Sequence, residues 1–208
     1  MNKAAYNSLK IGMVLCTALA FTSAAIAKDA KRVSTDIEVR EFNSVASDYY
    51  TQPTFLYHID KKKDDRLKLA VDFTREGTSK DLKVGYDTIT FSEKRVPLYI
   101  EAIEKYLKWE EIAKRDGDLI SKDISKVKAN SGQFNFFSFH SGNKNNHYLV
   151  INSPSLSSVL SASNGKQSYV PDFVFDRANA EKLKETLQSW VTGSFDEKLN
   201  TDLDEKYK

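Results

Sequence analysis

The 208-residue chain is close to electrical neutrality, with 31 Lys and Arg against 29 Asp and Glu and only three His. Because it has no clustered basic excess, nucleic acid and anionic membrane surfaces are not expected partners. A single Cys excludes a disulfide framework and a multi-thiolate metal site. The length is ample for one domain with its own apolar core.

The first 27 residues have the pattern of a secretory signal peptide. Lys3 and Lys10 form a positive region, and residues 11–21 form a short apolar core. Ala25-Ile26-Ala27 is a small-x-small cleavage signature. The apolar core is shorter than the ~20 residues of a membrane-spanning helix. We therefore expect a mature protein that begins at Lys28, carries no transmembrane segment and lies in the bacterial periplasm or outside the cell.

The only cysteine, Cys16, belongs to this leader and is expected to leave with it. An alternative is that Cys16 is the lipidated residue of a lipoprotein, but that processing favours a small residue where Leu15 stands. A cysteine-free mature chain suits a bacterial periplasm better than a eukaryotic secretory route, where small domains tend to be rich in disulfides.

The pattern divides the mature chain into a polar lead-in at 28–47, a single domain at 48–192 and a charged tail at 193–208. Within the lead-in, the alternation of Ile37 and Val39 indicates an edge strand or a flexible segment.

The first half of the domain is predicted to contain three strands followed by a helix. One strand begins near Pro53, and residues 67–73 alternate apolar and polar side chains over the period of a half-buried strand. The return strand contains Gly85, a natural site for a β-bulge. A helix with a wide apolar arc is expected to begin near Pro97.

The second half repeats this order. A weak strand at 119–127 precedes two apolar runs, 134–139 and 147–151, which predict a β-hairpin around the polar loop 141–146. The serine-rich segment 153–168 is typical of an exposed loop. A last strand at 170–175 leads into a helix for which Asp176 or Asn179 would be the N-cap.

The fold class that follows is α+β, an antiparallel β-sheet with two helices packed on one face. A strand Phe, a helix and a Trp recur in both halves, as Phe91 and Trp109 and as Phe175 and Trp190, although the spacings differ at 18 and 15 residues. This echo is a hypothesis of two similar halves, each β-rich and ending in a helix.

Three kinds of chemistry are candidates for a catalytic or metal site. His140 and His147 flank the hairpin loop and would share a metal if they lay side by side, but zinc takes three or four protein ligands and only His58 remains. Asp and Glu are abundant, so a pair of carboxylates for glycoside cleavage is a second candidate. Glu110 projects from the apolar arc of the first helix, where its side chain would either reach solvent or act as a catalytic group with a raised pKa. No Gly-x-Ser-x-Gly elbow activates the serines of 153–163. We expect no metal, no cofactor and no catalytic residue.

The polar and aromatic side chains of the loops favour binding instead. The expected binding residues lie at both ends of the hairpin loop and in the serine-rich segment: His140, Asn145, Asn146, His147, Tyr148, Asn164 and Tyr169. The sequence thus favours an exported, non-catalytic binding or accessory protein of inhibitor or immunity type, whose partner is another exported protein or envelope component. The alternatives are a carboxylate-type hydrolase of the cell envelope and a histidine-based metal-binding protein.

Overall fold

The computed structural model describes residues 31–43, 48–59, 65–75, 83–130, 132–154 and 172–195. The leader with Cys16, and the candidate residues Asn164 and Tyr169, lie outside the described residues. The elements in chain order are β1 (Lys31–Asn43), β2 (Asp48–Ile59), β3 (Arg66–Arg75), β4 (Lys83–Ser92), a 3-10 turn (Glu93–Arg95), α1 (Val96–Asp116), β5 (Ser121–Asn130), β6 (Gln133–Ser141), β7 (His147–Asn152), β8 (Asp172–Phe175) and α2 (Arg177–Val191).

All eight strands belong to one antiparallel sheet in the order β4-β3-β2-β1-β8-β7-β6-β5. Both helices pack on the same face, where their apolar side chains merge with those of the sheet into one core. The outermost strands β4 and β5 also contact each other, so the sheet curls around the helices. This arrangement confirms the predicted α+β fold.

In the part of the chain that the structure describes, each half has four strands followed by a helix. In the sheet, the strands of the first half lie in the order β4-β3-β2-β1, and those of the second half follow in the order β8-β7-β6-β5. Each half thus runs from its fourth strand to its first. Phe91 and Phe175 lie at or near the ends of the fourth strands of the two halves, and both are fully buried. The described elements of the two halves therefore follow the same order within the sheet.

Strand alternation separates an inner face, covered by the helices, from an outer face. On β6, the side chains of Asn135, Phe137 and Phe139 are buried on the inner side of the sheet. Those of Phe136 and His140 are exposed on the outer side. The inner residues pack against the helices; for example, the Phe139 ring lies 5.8 Å from that of Tyr106. β6 is thus a regular strand with aromatic side chains on both faces.

Two local expectations are wrong. The edge strand or lead-in expected around Ile37 and Val39 is instead the interior strand β1, paired with β2 on one side and β8 on the other, and both side chains are buried. The bulge expected at Gly85 is absent, because β3 and β4 pair one to one through Phe73 opposite Gly85.

Helix boundaries follow the expected signals. α1 has a Pro in its first turn and ends at Gly117, whose φ of 70° is the left-handed conformation that glycine adopts most readily. α2 begins after Asp176, whose side chain accepts a hydrogen bond from the backbone N–H of Asn179. Among the described residues, neither helix is long and apolar enough to cross a membrane.

Candidate functional site

The hairpin register places the two candidate histidines on opposite faces of the sheet. His147 pairs with Ser141 and His140 pairs with Tyr148, so the histidines occupy successive rungs of the ladder rather than the same one. Since successive side chains of a strand alternate between faces, His140 points outward and His147 inward. The expectation that they lie side by side is therefore wrong.

Each histidine has its own neighbours. His140 is exposed, with Nδ1 3.0 Å from Ser121 Oγ and Nε2 3.1 Å from Ser138 Oγ. His147 is 3% exposed, its Nδ1 lies 2.8 Å from Ser141 Oγ, and its ring stacks on Phe139. Within the described ranges, its Nε2 has no hydrogen-bond partner.

The third histidine, His58, is on β2 in the other half of the sheet, where Asp65 lies 2.8 Å from its Nε2. In the part of the chain that the structure describes, no three His, Cys, Asp or Glu side chains come close enough together to hold a metal ion.

The hairpin loop is organised by hydrogen bonds of its own backbone and side chains. Asn143 Oδ1 accepts from the backbone N–H groups of both Asn145 and Asn146, and the N–H of Gly142 donates to the carbonyl oxygen of Asn146. A Cβ at residue 142 would lie 3.0 Å from Cε2 of Tyr148, so a side chain there would require the Tyr148 ring to shift by a few tenths of an ångström. The exposed loop is thereby fixed against the outer face.

Beside this loop the outer face carries a depression of about 530 Å³, which we call the outer groove. Of the predicted binding residues that the structure describes, His140 and Tyr148 line the groove. Asn145 and Asn146 belong to the adjoining hairpin loop, and His147 is buried on the inner face. The lining of the groove comes from the four strands β5 to β8 and from Pro154, which follows β7. The strand residues are Asp123 of β5, Phe136, Ser138 and His140 of β6, Tyr148, Val150 and Asn152 of β7, and Asp172 and Val174 of β8.

The floor of the outer groove is apolar and its rim is polar. Tyr148, Val150 and Val174 form a small cluster of buried side chains separate from the main core. Asp123, His140 and Asp172 are exposed around them, and Phe136 retains 38% of its surface. An apolar base with a few polar groups around it is the usual composition of a binding site.

One ion pair closes the groove on the β1 side. The Arg40 guanidinium lies 5.7 Å from the centroid of the Tyr148 ring and 3.2 Å from the carboxylate of Asp176. Burial raises the pKa of Asp176, but hydrogen bonds from Asn179 and the charge of Arg40 more than offset this, so the pKa lies below its usual range. Asp176 is therefore ionised at neutral pH and holds Arg40 against the aromatic floor.

The strands that carry the two groove carboxylates lie farther apart than the carboxyl groups of the known glycosidases do. Asp123 and Asp172 belong to β5 and β8, which β6 and β7 separate. Three strand spacings of about 4.8 Å put their backbones roughly 14 Å apart. Retaining and inverting glycosidases hold their carboxyl groups about 5–9.5 Å apart.

Glu110 is neither a solvent-reaching side chain nor a carboxyl group with a raised pKa. It is 2% exposed and bonds to Lys114 and, at 2.7 Å, to Arg177 Nη1. Burial alone would raise its pKa, but the hydrogen bonds and charges of these two partners lower it below the usual value. Glu110 therefore ties α1 to the start of α2 as a buried carboxylate.

Most of the groove lining, including Asp123, Phe136, Val150 and Asp172, is not among the binding residues expected from the sequence. One available signal was the placement of Phe134 and Phe136 on the polar face of β6, since two aromatic side chains on a wet face are unusual for a strand with only one buried side. Predicting the rest requires knowing that β5 and β8 flank the hairpin.

Comparison of the chain with protein-family models, with curated proteins and with solved structures finds no match.

Proposed function

We propose that this chain is an exported, non-catalytic binding protein that engages another exported protein or envelope component through the outer groove and the adjoining hairpin loop. The observation that carries the proposal is the outer groove itself, whose apolar floor and polar rim lie beside an ordered, exposed loop. Gly142 packs against Tyr148, so the loop and the groove form one continuous surface.

Three further features support binding over catalysis. The groove carboxylates are separated by two intervening strands, and His140 hydrogen-bonds to two serines rather than to an acid. The buried acid Glu110 is held by two cations. These arrangements suit recognition, where aromatic and amide groups make contacts, better than proton transfer.

Site-specific photo-crosslinking tests this function. A benzophenone side chain at Phe136, which is 38% exposed in the groove, should capture a defined partner from an envelope extract. The matched control places the same group at Val191, which is 47% exposed on α2. The partner, once purified, should lose affinity for the Tyr148→Ala variant. Equal capture at both positions, or cleavage of an envelope polymer by the purified protein, would contradict the proposal.

Export rests on the leader and needs its own test. The form recovered from the periplasm or medium should have the intact mass of a chain beginning at Lys28. A mass with an acylated Cys16 at the N-terminus would instead show a membrane-anchored lipoprotein.

A further inference from the structure

The charged side chains that line the outer groove are acidic. Among the described residues, Asp123 and Asp172 are the charged members of its lining, and Lys and Arg occur only beside it. Asp172 accepts one hydrogen bond, from Asn152 Nδ2 at 2.9 Å, and Asp123 makes no hydrogen bond or ion pair with any residue that the structure describes. Both carboxylates are exposed and retain oxygens that a ligand could use.

The cations nearest to the groove have other partners. Arg40 is paired with Asp176, and Lys126 Nζ lies over the rings of Phe134 and Phe136 at 4.3 and 5.0 Å. Neither contact involves a groove carboxylate. Asp123 and Asp172 are therefore left available to pair with a positively charged occupant.

The spacing of the two carboxylates matches one form of peptide. Their strands are about 14 Å apart across the sheet, and an extended chain rises about 3.4 Å per residue with alternate side chains on the same face. Residues four apart in such a chain are thus separated by roughly 14 Å and point the same way. Asp172 is also displaced along β8 relative to Val174, and Lys and Arg side chains are long enough to span this displacement.

The floor between the carboxylates suits the rest of such a segment. Val150 and Val174 offer apolar surface to a central side chain and to the aliphatic stems of Lys or Arg. The side chains of Ser138 and Asn152 lie in the same lining and can bond to a peptide backbone.

On the basis of the proposed function, we propose that the outer groove binds an extended segment of the partner protein that carries two basic residues four positions apart, one at Asp123 and one at Asp172. The segment crosses β6, β7 and β8 with its central residue on the apolar floor. The carboxylates set the spacing of the basic residues, and the floor selects an apolar residue between them.

Fluorescence anisotropy with two labelled peptides of identical composition tests the spacing. The matching peptide contains Lys-Ser-Val-Ser-Lys and the control contains Lys-Ser-Val-Lys-Ser, where the lysines point to opposite faces of an extended chain. The matching peptide should bind more tightly, and binding should weaken as ionic strength rises. Asp123→Asn and Asp172→Asn should each weaken it by roughly two- to fivefold, as expected for solvent-exposed ion pairs.

Asp118→Asn is the matched control, because Asp118 is exposed and lies outside the groove lining. Circular dichroism would verify that all three variants fold. Equal affinity for both peptides, or unchanged affinity in Asp123→Asn and Asp172→Asn, would overturn the inference. Equally tight binding of a simple diamine of matching length would also overturn it, in favour of a small cation.

Failure of this inference can be distinguished from failure of the proposed function. If the partner captured through Phe136 still binds Asp123→Asn and Asp172→Asn normally, the protein binds through the groove but does not read a basic segment. If no partner is captured there, the binding function itself is wrong.

Discussion

Replacing Arg177 with Met should destabilise the protein, because it removes one of the two cations that hold the buried carboxylate of Glu110. Arg177 Nη1 lies 2.7 Å from Glu110 Oε2, and the Glu110 side chain is only 3% exposed. The guanidinium also contacts Glu111 and Glu181, but both of those carboxylates are largely in solvent and contribute little.

The expected loss is about 1–3 kcal/mol at pH 7. Removing one partner of a fully buried pair costs roughly 3–5 kcal/mol. That range must be reduced here, because the Arg177 side chain is 35% exposed and Lys114 remains bonded to Glu110. The substitution also removes a cation from the first turn of α2, where the positive end of the helix dipole disfavours a positive charge. This effect stabilises the variant by a few tenths of a kcal/mol and reduces the net loss.

The penalty should also depend on pH in a defined direction. The pKa of Glu110 is lowered in the folded state, so its ionised form stabilises the fold above its unfolded value of about 4.3. This contribution disappears as the pH falls through the lowered pKa. The difference between wild type and Arg177→Met should therefore be complete at pH 7 and shrink below about pH 4.

Urea unfolding followed by circular dichroism at pH 7 and pH 3 measures this difference. Arg115→Met is the control, because Arg115 is exposed and its ion pair with a described residue is to its exposed neighbour Asp116; it should behave as wild type. In a Glu110→Gln background, Arg177→Met should cost less. A loss below about 0.5 kcal/mol at pH 7, the size typical of surface changes, or an equal loss at both pH values would refute the reasoning.

Three further predictions concern the core, the histidines and the loop. Leu107→Ala, on the buried face of α1, should lower the free energy of unfolding by about 2–4 kcal/mol. Trp109→Ala should lower it by less, because Trp109 is only partly buried. If urea unfolding shows no change in either variant, the packing of α1 is contradicted. Micromolar Zn²⁺ should leave the melting temperature unchanged, whereas a rise that His140→Ala abolishes would reveal a metal site. Gly142→Ala should displace Tyr148 and weaken binding of the dibasic peptide more than it weakens folding, which anisotropy and thermal melts together can check.

The parts of the fold that could be predicted are those specified by local patterns. Pro97 and Gly117 mark the limits of α1 through backbone preferences, and Asp176 caps α2 through its own side chain. These signals act over a few residues, so they survive without knowledge of the tertiary structure.

The parts that could not be predicted depend on pairing between distant strands. β1 was misjudged because its polar composition conceals Ile37 and Val39, which become interior only when β8 pairs with β1. The histidine pair was misjudged because a shift of one residue in hairpin register reverses the face of every side chain. The outer groove draws on residues from Asp123 to Val174, and only the strand order brings them together.

The junction of the two halves has a consequence for the order of folding. β1, the first strand, joins the second half through β8, the last one, and Arg40 bonds to Asp176 across 136 residues of sequence. Until the end of the chain is synthesised, the β8-facing edge of β1 stays unpaired and open to pairing with other chains. Closing contacts between such distant residues is slow, so the nascent protein should depend on chaperones for longer than its size suggests.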